Sequence, residues 1–135
     1  MMLGFEVSLP PRELFLNYRV RWGGFWVAHR AKQLYQVEVR LVALSAMEKA
    51  GGRAALGLPW ARAHLVFTAV WPKGRRRPDN DNFGAALKPV RDALGQRFGV
   101  GIFKDDRPDC LSEEGRYEHG GAGRLRVDVR EGAKP

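Results

Sequence analysis

Cysteine is almost missing from this chain. Its one thiol, Cys110, has no second thiol to pair with in a single copy, which excludes an internal disulfide and a thiolate metal cluster and makes a reducing cytoplasm the expected compartment. Long apolar runs are missing too: none approaches the roughly 20 residues that cross a bilayer. The opening MMLGFEVSLPP lacks a basic stretch followed by an apolar core, so no secretory leader is expected there. No basic amphipathic stretch with a large aromatic face suggests a membrane surface. No GxxxxGK[ST] loop is present to cradle a nucleotide cofactor. Without repeats, low-complexity tracts or a linker, the 135 residues read as one domain, 1–135, long enough for one core and too short for two.

Positive charge, by contrast, is abundant. Against 15 Asp+Glu stand 23 Lys+Arg, a formal net charge of +8, and this balance favours a polyanion as partner. Hydrophobic residues at 44% and charged residues at 28% are those of an ordinary folded domain.

Periodicity supplies the elements. Leu3, Phe5, Val7 and Leu9 alternate with polar residues and predict a half-buried strand that Pro10 and Pro11 end. Next, Arg12, Arg19, Arg21 and Arg30 are interleaved with Phe15, Tyr18, Trp22, Phe25 and Trp26. That mixture suits gripping a nucleic-acid backbone and stacking on unpaired bases, or else plugging the edge of a sheet. Residues 31–50 predict a helix, with Leu34, Val37, Leu41 and Leu44 as the stripe that covers the sheet and Gly51-Gly52 as its stop. Residues 61–71 are the best strand, with Ala63, Leu65, Phe67 and Ala69 inward and His64, Val66, Thr68 and Val70 opposite. A helix capped near Asn82 buries Phe83, Leu87, Val90 and Leu94 and ends at Gly95 or Gly99; Pro89 requires either a kink or a fresh start within it. A weak strand near 110–118 and a clear one over 124–130, with Leu125, Val127 and Val129 on one face, complete the chain. The expected fold is therefore a small α/β domain of the α+β type, a mixed sheet covered by two main helices.

One stretch, 73–106, carries the chemistry. Lys73, Arg75, Arg76 and Arg77 run straight into Asp79 and Asp81; Lys88 and Asp92 follow on the helix, and Lys104-Asp105-Asp106 closes the segment. Arg and Lys attract phosphate, whereas hard carboxylate oxygens attract Mg²⁺. Asp79 and Asp81, two apart in an extended segment, project to one side and repel each other unless a cation lies between them. On one continuous helix at ~100° per residue, Lys88 returns to within roughly 20° of the direction of Asp81. Asp79, Asp81 and one of Asp105 and Asp106 are thus the candidate ligands of one or two Mg²⁺ (with Mn²⁺ as a substitute). Lys88 is the candidate cation for the scissile phosphate. Lys73, Arg75, Arg76, Arg77, Lys104 and Arg19 are the candidate DNA contacts. His64, lone on a strand, is left out.

The series RRRPDNDNF…LKPVRDAL…FKDD resembles the signature of the RusA family of Holliday-junction resolvases, with an arginine-rich lead, D-x-D-N, a helix bearing Lys before Asp-Ala-Leu, and a later Asp-Asp. The resemblance implies a small mixed α/β homodimer that cuts four-way DNA junctions with Mg²⁺. It also implies Asp79, Asp81 and Asp106 as the essential carboxylates and Lys88 as the essential lysine. Many members place that lysine four residues after the second Asp, whereas here it comes seven after. Two other readings stay open: a non-catalytic basic DNA- or RNA-binding module whose acidic residues are caps and pairs, and a nuclease for other branched or flap structures.

Overall fold

The computed structural model describes residues 1–15 and 24–133. Four strands and four helices follow in the order β1 (Met2–Ser8), α1 (Gly24–Lys49), α2 (Gly52–Leu56), β2 (Ala63–Pro72), α3 (Asn80–Ala86), α4 (Lys88–Leu94), β3 (Leu111–Gly121) and β4 (Arg124–Glu131), with a 3-10 turn at Arg12–Leu14 after β1. The sheet is mixed, in the order β1-β4-β2-β3, as the expected α+β class requires. β4 runs antiparallel to both β1 and β2, and β2 runs parallel to β3. A parallel pair needs a crossover, and α3 and α4 provide it. The whole segment 73–106 therefore lies in the connection between β2 and β3.

Alternation decides which side of the sheet is dry. Leu3, Phe5 and Val7 of β1, Leu65, Phe67 and Ala69 of β2, and Leu125, Val127 and Val129 of β4 all face the core, as their period of two predicts. β2 is central, so its opposite face is covered as well: His64 and Thr68 are buried, and His64 Nδ1 lies 2.7 Å from Ser112 Oγ on β3. The stretch near 110–118 is a full strand, residues 111–121, at the edge of the sheet.

Three helical expectations change. α1 begins at Gly24 and not near residue 31. Its buried side is Tyr35, Val39, Ala43 and Met47, four apart, whereas Leu34, Val37, Leu41 and Leu44 face outward. The helix carries two apolar stripes, and periodicity alone cannot rank them. Tyr35 fixes the choice, because its hydroxyl donates to the Ser8 carbonyl at 2.7 Å, while both carboxylate oxygens of Glu38 hold Ser8 at 2.6 and 2.9 Å. Burial raises the Tyr35 phenol far above its ordinary value, and Glu38 adds to the rise.

The helix expected after Asp81 is two helices. Its cap is Asp79 and not Asn82, since the Asp79 carboxylate accepts from the Asn82 backbone N–H at 2.8 Å. α3 stops at Ala86 and α4 starts afresh at Lys88, with Pro89 in its first turn. Proline has no N–H to donate and its ring strikes the carbonyl four residues back, so the first helix cannot pass through it. The buried stripe survives the break: Phe83, Leu87, Val90 and Leu94 are all buried, and Gly95 caps α4.

After α4 the chain folds back on its own helix end. Val100 N–H donates to the Ala93 carbonyl at 2.9 Å and Ile102 N–H to that of Leu94 at 2.8 Å. Gly99 sits inside this return, where an added Cβ would lie 1.9 Å from the Ala93 carbonyl oxygen. Gly99→Ala is expected to destabilise by about 3 kcal/mol, the upper end for overpacking. Gly84→Ala, where the methyl meets nothing within 4 Å, should be neutral or stabilising in helix α3. Urea denaturation of both variants checks the pair.

Candidate nucleic-acid interface

The strap 73–78 leaves the C-terminal end of β2, the end of a parallel strand where ligands commonly bind in open α/β sheets. Gly74, with φ +82°, turns the chain, and the Arg75 N–H closes the turn on the Pro72 carbonyl at 3.2 Å. Two of the three arginines then rest on aromatic rings. The Arg75 guanidinium lies 5.2 Å from the Trp71 ring centroid, and that of Arg77 lies 4.1 Å from Tyr117, within the range of a cation–π contact. Trp71 is the last residue but one of β2, and Tyr117 sits on its parallel neighbour, β3. Phe83 of α3 packs against both, at 6.5 and 5.4 Å between centroids, and Phe15 packs on Phe83 at 6.4 Å. An aromatic floor thus carries the basic strap.

Above this floor opens a cleft of about 530 Å³, lined by Arg12, Trp71, the three arginines of the strap and Asp79. Tyr117 senses both signs of charge there. Burial raises its phenol above the ordinary value, Arg77 pulls it down and Asp79 pushes it up. The Trp71 indole N–H and the Tyr117 hydroxyl are buried without a hydrogen-bond partner among the described residues. Such groups cost stability and are found preferentially where something other than stability is served.

Asp79 and Asp81 stand at the start of α3, both exposed. One oxygen of Asp79 accepts from the Asn82 N–H and the other from the Asn82 side-chain amide, at 2.8 and 3.0 Å. A carboxylate offers about four acceptor positions, so half remain for a cation. Mg²⁺ commonly binds through one or two carboxylates and completes its shell with water and substrate phosphate. Asp79, with half its acceptor positions open, fits that demand. The chain is extended only as far as Asp79, however, and Asp81 already lies in the first turn of α3. The extended segment expected to project both to one side therefore does not form, and residues two apart on a helix do not face each other. Among the described residues, no three His, Cys, Asp or Glu side chains gather as a metal site.

Topology explains why the third carboxylate is not with them. Asp105 and Asp106 precede β3, whose first residue pairs with Ala63 at the opposite end of β2. Lys104 N–H donates there to the Trp60 carbonyl at 3.0 Å. A crossover between parallel strands must run from the top of one to the bottom of the next, so acids at its two ends lie a sheet length apart. Over the six steps from Ala63 to Ala69, which pairs with the Tyr117 beneath the strap, that separation is already on the order of 20 Å. The Asp105 carboxylate instead accepts the Asp106 N–H at 2.8 Å and pairs with Arg107 at 3.2 Å. Lys104 goes with these residues and not with the strap.

Lys88 is exposed at the first position of α4, so the shared azimuth expected of one continuous helix does not apply to it. Lys73 is exposed at the root of the strap. Arg19 lies outside the described residues. Phe15, Trp71 and Tyr117 join the site through their strand and turn positions; the inward parity of β2 extends to Trp71, but nothing in the sequence pairs it with β3.

No family model matches the chain. It is similar to an uncharacterized protein of Xylella fastidiosa (strain Temecula1), 28% identical over 106 residues that cover 78% of this chain and 61% of that relative. The chain thus spans about 61% of the length of the relative it matches.

Proposed function

We propose that this chain is a RusA-like, Mg²⁺-dependent endodeoxyribonuclease that resolves four-way DNA junctions by paired phosphodiester hydrolysis, acting as a cytoplasmic homodimer. One observation carries the reading. Arg75, Arg76 and Arg77 stand two to four residues from Asp79, yet none of the three forms an ion pair with a carboxylate among the described residues. Rings hold Arg75 and Arg77 in place without neutralising them. Opposite charges kept adjacent and unspent suit a ligand that brings both, a phosphate backbone with its cation.

The roles follow from these positions. The strap grips backbone phosphates and sets the register of the duplex. Asp79, with Asp81 in the adjoining first turn of α3, would hold the cation, which would lower the pKa of a bound water and neutralise charge at phosphorus. The cap hydrogen bonds from Asn82 fix the Asp79 carboxylate before substrate arrives, so its orientation costs nothing at the moment of reaction. Trp71 and Tyr117 position the guanidiniums. Paired cuts require two sites, and a two-fold dimer supplies them.

A second reading has its own observation. With Asp105 and Asp106 at the far end of the parallel pair, the chain reads equally as a basic DNA- or RNA-binding module in which Asp79 is a helix cap. Incubation of a synthetic four-way junction, a flap and a linear duplex, each with and without Mg²⁺, separates the readings. Nicking of the junction in Mg²⁺ alone supports the nuclease, preference for the flap assigns the same chemistry to another branched substrate, and binding without nicking supports the module.

The strap makes a prediction common to both. Arg75→Ala with Arg77→Ala should weaken DNA binding about equally across sequences. It should also flatten the dependence of log affinity on log salt by about 0.9 for each phosphate that the variant no longer neutralises. Fluorescence anisotropy at several salt concentrations measures it.

A further inference from the structure

The outward stripe of α1 is left without a role by the cleft, which lies elsewhere on the chain. Leu34, Val37, Leu41 and Leu44 are 62%, 44%, 62% and 47% exposed. Four large aliphatic side chains in one row are more than the scattered apolar residues of an ordinary surface. Their spacing, together with Arg30 before them and Glu48 after, is four, three, four, three, four. That is the a/d seam of a helix that packs against another helix.

The row is also a palindrome. Leu34 and Leu44 are equidistant from Val39, as are Val37 and Leu41, and as are Arg30 and Glu48. A second α1 laid antiparallel across a two-fold axis at the level of Val39 would set Leu34 against Leu44 and Val37 against Leu41. Arg30 would then face Glu48 at both ends. Arg30 and Glu48 are exposed, and neither has an ion-pair partner among the described residues. A two-fold interface demands that residue i meet j while j meets i, and this stripe satisfies the demand in both hydrophobicity and charge. We infer that the exposed face of α1 is a homodimer interface in which two copies of the helix pair antiparallel, centred at Val39.

The neighbouring surface widens the apolar strip. From Arg30 to Glu48 the helix rises ~27 Å at ~1.5 Å per residue, a strip narrower than the ≈ 800 Å² per partner of a standard interface. Alongside it runs a groove of about 620 Å³ between α1 and the edge strand β1, lined by Met2, Phe5, Leu41, Ser45 and Lys49. Leu41 belongs to both, so the seam and the groove form one continuous face.

Dimerisation is part of the proposed function, but the choice of face and register is independent of cleavage, and mass rather than activity reads it. Sedimentation of the full chain at micromolar concentrations should show a dimer. Leu41→Glu with Leu44→Glu should give a monomer that still melts cooperatively, at a temperature that no longer depends on protein concentration, because both side chains are outward in the folded subunit. Arg30→Glu should weaken the dimer about tenfold, and Glu48→Arg in the same chain should restore it. A wild-type monomer, or a dimer that survives the two glutamates, overturns the inference, as does charge reversal without restoration. A wild-type monomer whose leucines bind lipid vesicles would overturn it in favour of a membrane surface.

Discussion

Asp81→Asn is expected to abolish junction cleavage while leaving the fold and the DNA affinity intact. The substitution keeps the shape of the side chain and removes one negative charge from an exposed position in the first turn of α3. In its proposed role as a ligand of the cation, Asp81 should matter more than an outer-shell partner, whose loss costs about 10–100-fold. A fall in single-turnover rate of at least about 10²-fold is expected, near 2.7 kcal/mol of lost transition-state stabilisation. Affinity for the junction in the absence of divalent ions should be equal or higher, because a charge that repels phosphate has gone. Asp79→Asn should behave alike, with one structural safeguard: Asn caps helices as well as Asp, so the Asn82 N–H keeps an acceptor. Loss of activity in both variants with unchanged melting separates chemistry from capping. Unchanged nicking by either would remove that residue from the site.

Trp60→Ala is expected to destabilise the domain by about 3–5 kcal/mol. Trp60 is 1% exposed, and its indole N–H donates to the Leu56 carbonyl at 2.8 Å. Its backbone also clamps the return from α4, accepting from Lys104 N–H at 3.0 Å and donating to the Ile102 carbonyl at 2.8 Å. Truncation leaves a large cavity and an unpaired Leu56 carbonyl beside α2, and the return bearing Asp105 and Asp106 loses its packing. The denaturation midpoint should drop without a change in slope. A loss below about 1 kcal/mol would show that this end of the core tolerates a hole, against the packing described.

The strands were legible because a period of two leaves little choice. Once Leu65, Phe67 and Ala69 alternate with their neighbours, one face must be dry, and β1 and β4 follow the same rule. The helices were legible as helices but not in their facing. α1 offers two stripes, and only the Tyr35–Ser8 and Glu38–Ser8 contacts, made across 27 and 30 residues of chain, select the one that packs. Pro89 announced a break without saying whether it would kink or restart the helix. Within the site, the strap and its adjacency to Asp79 and Asp81 are local and were readable. The aromatic floor was not, because it depends on β2 and β3 lying side by side. That same parallel pairing sends Asp105 and Asp106 to the other end, a consequence of crossover topology that spacing along the chain does not reveal.

The central claim is that charges of both signs beside β2 serve cleavage of a bound phosphate backbone. It is tested most directly by mapping the cut strands of an end-labelled four-way junction in Mg²⁺, with Mn²⁺ in parallel. The account predicts symmetric nicks in two opposing strands, lost in chelator and lost in Asp81→Asn. A junction that is bound tightly yet left intact in both metals would contradict it.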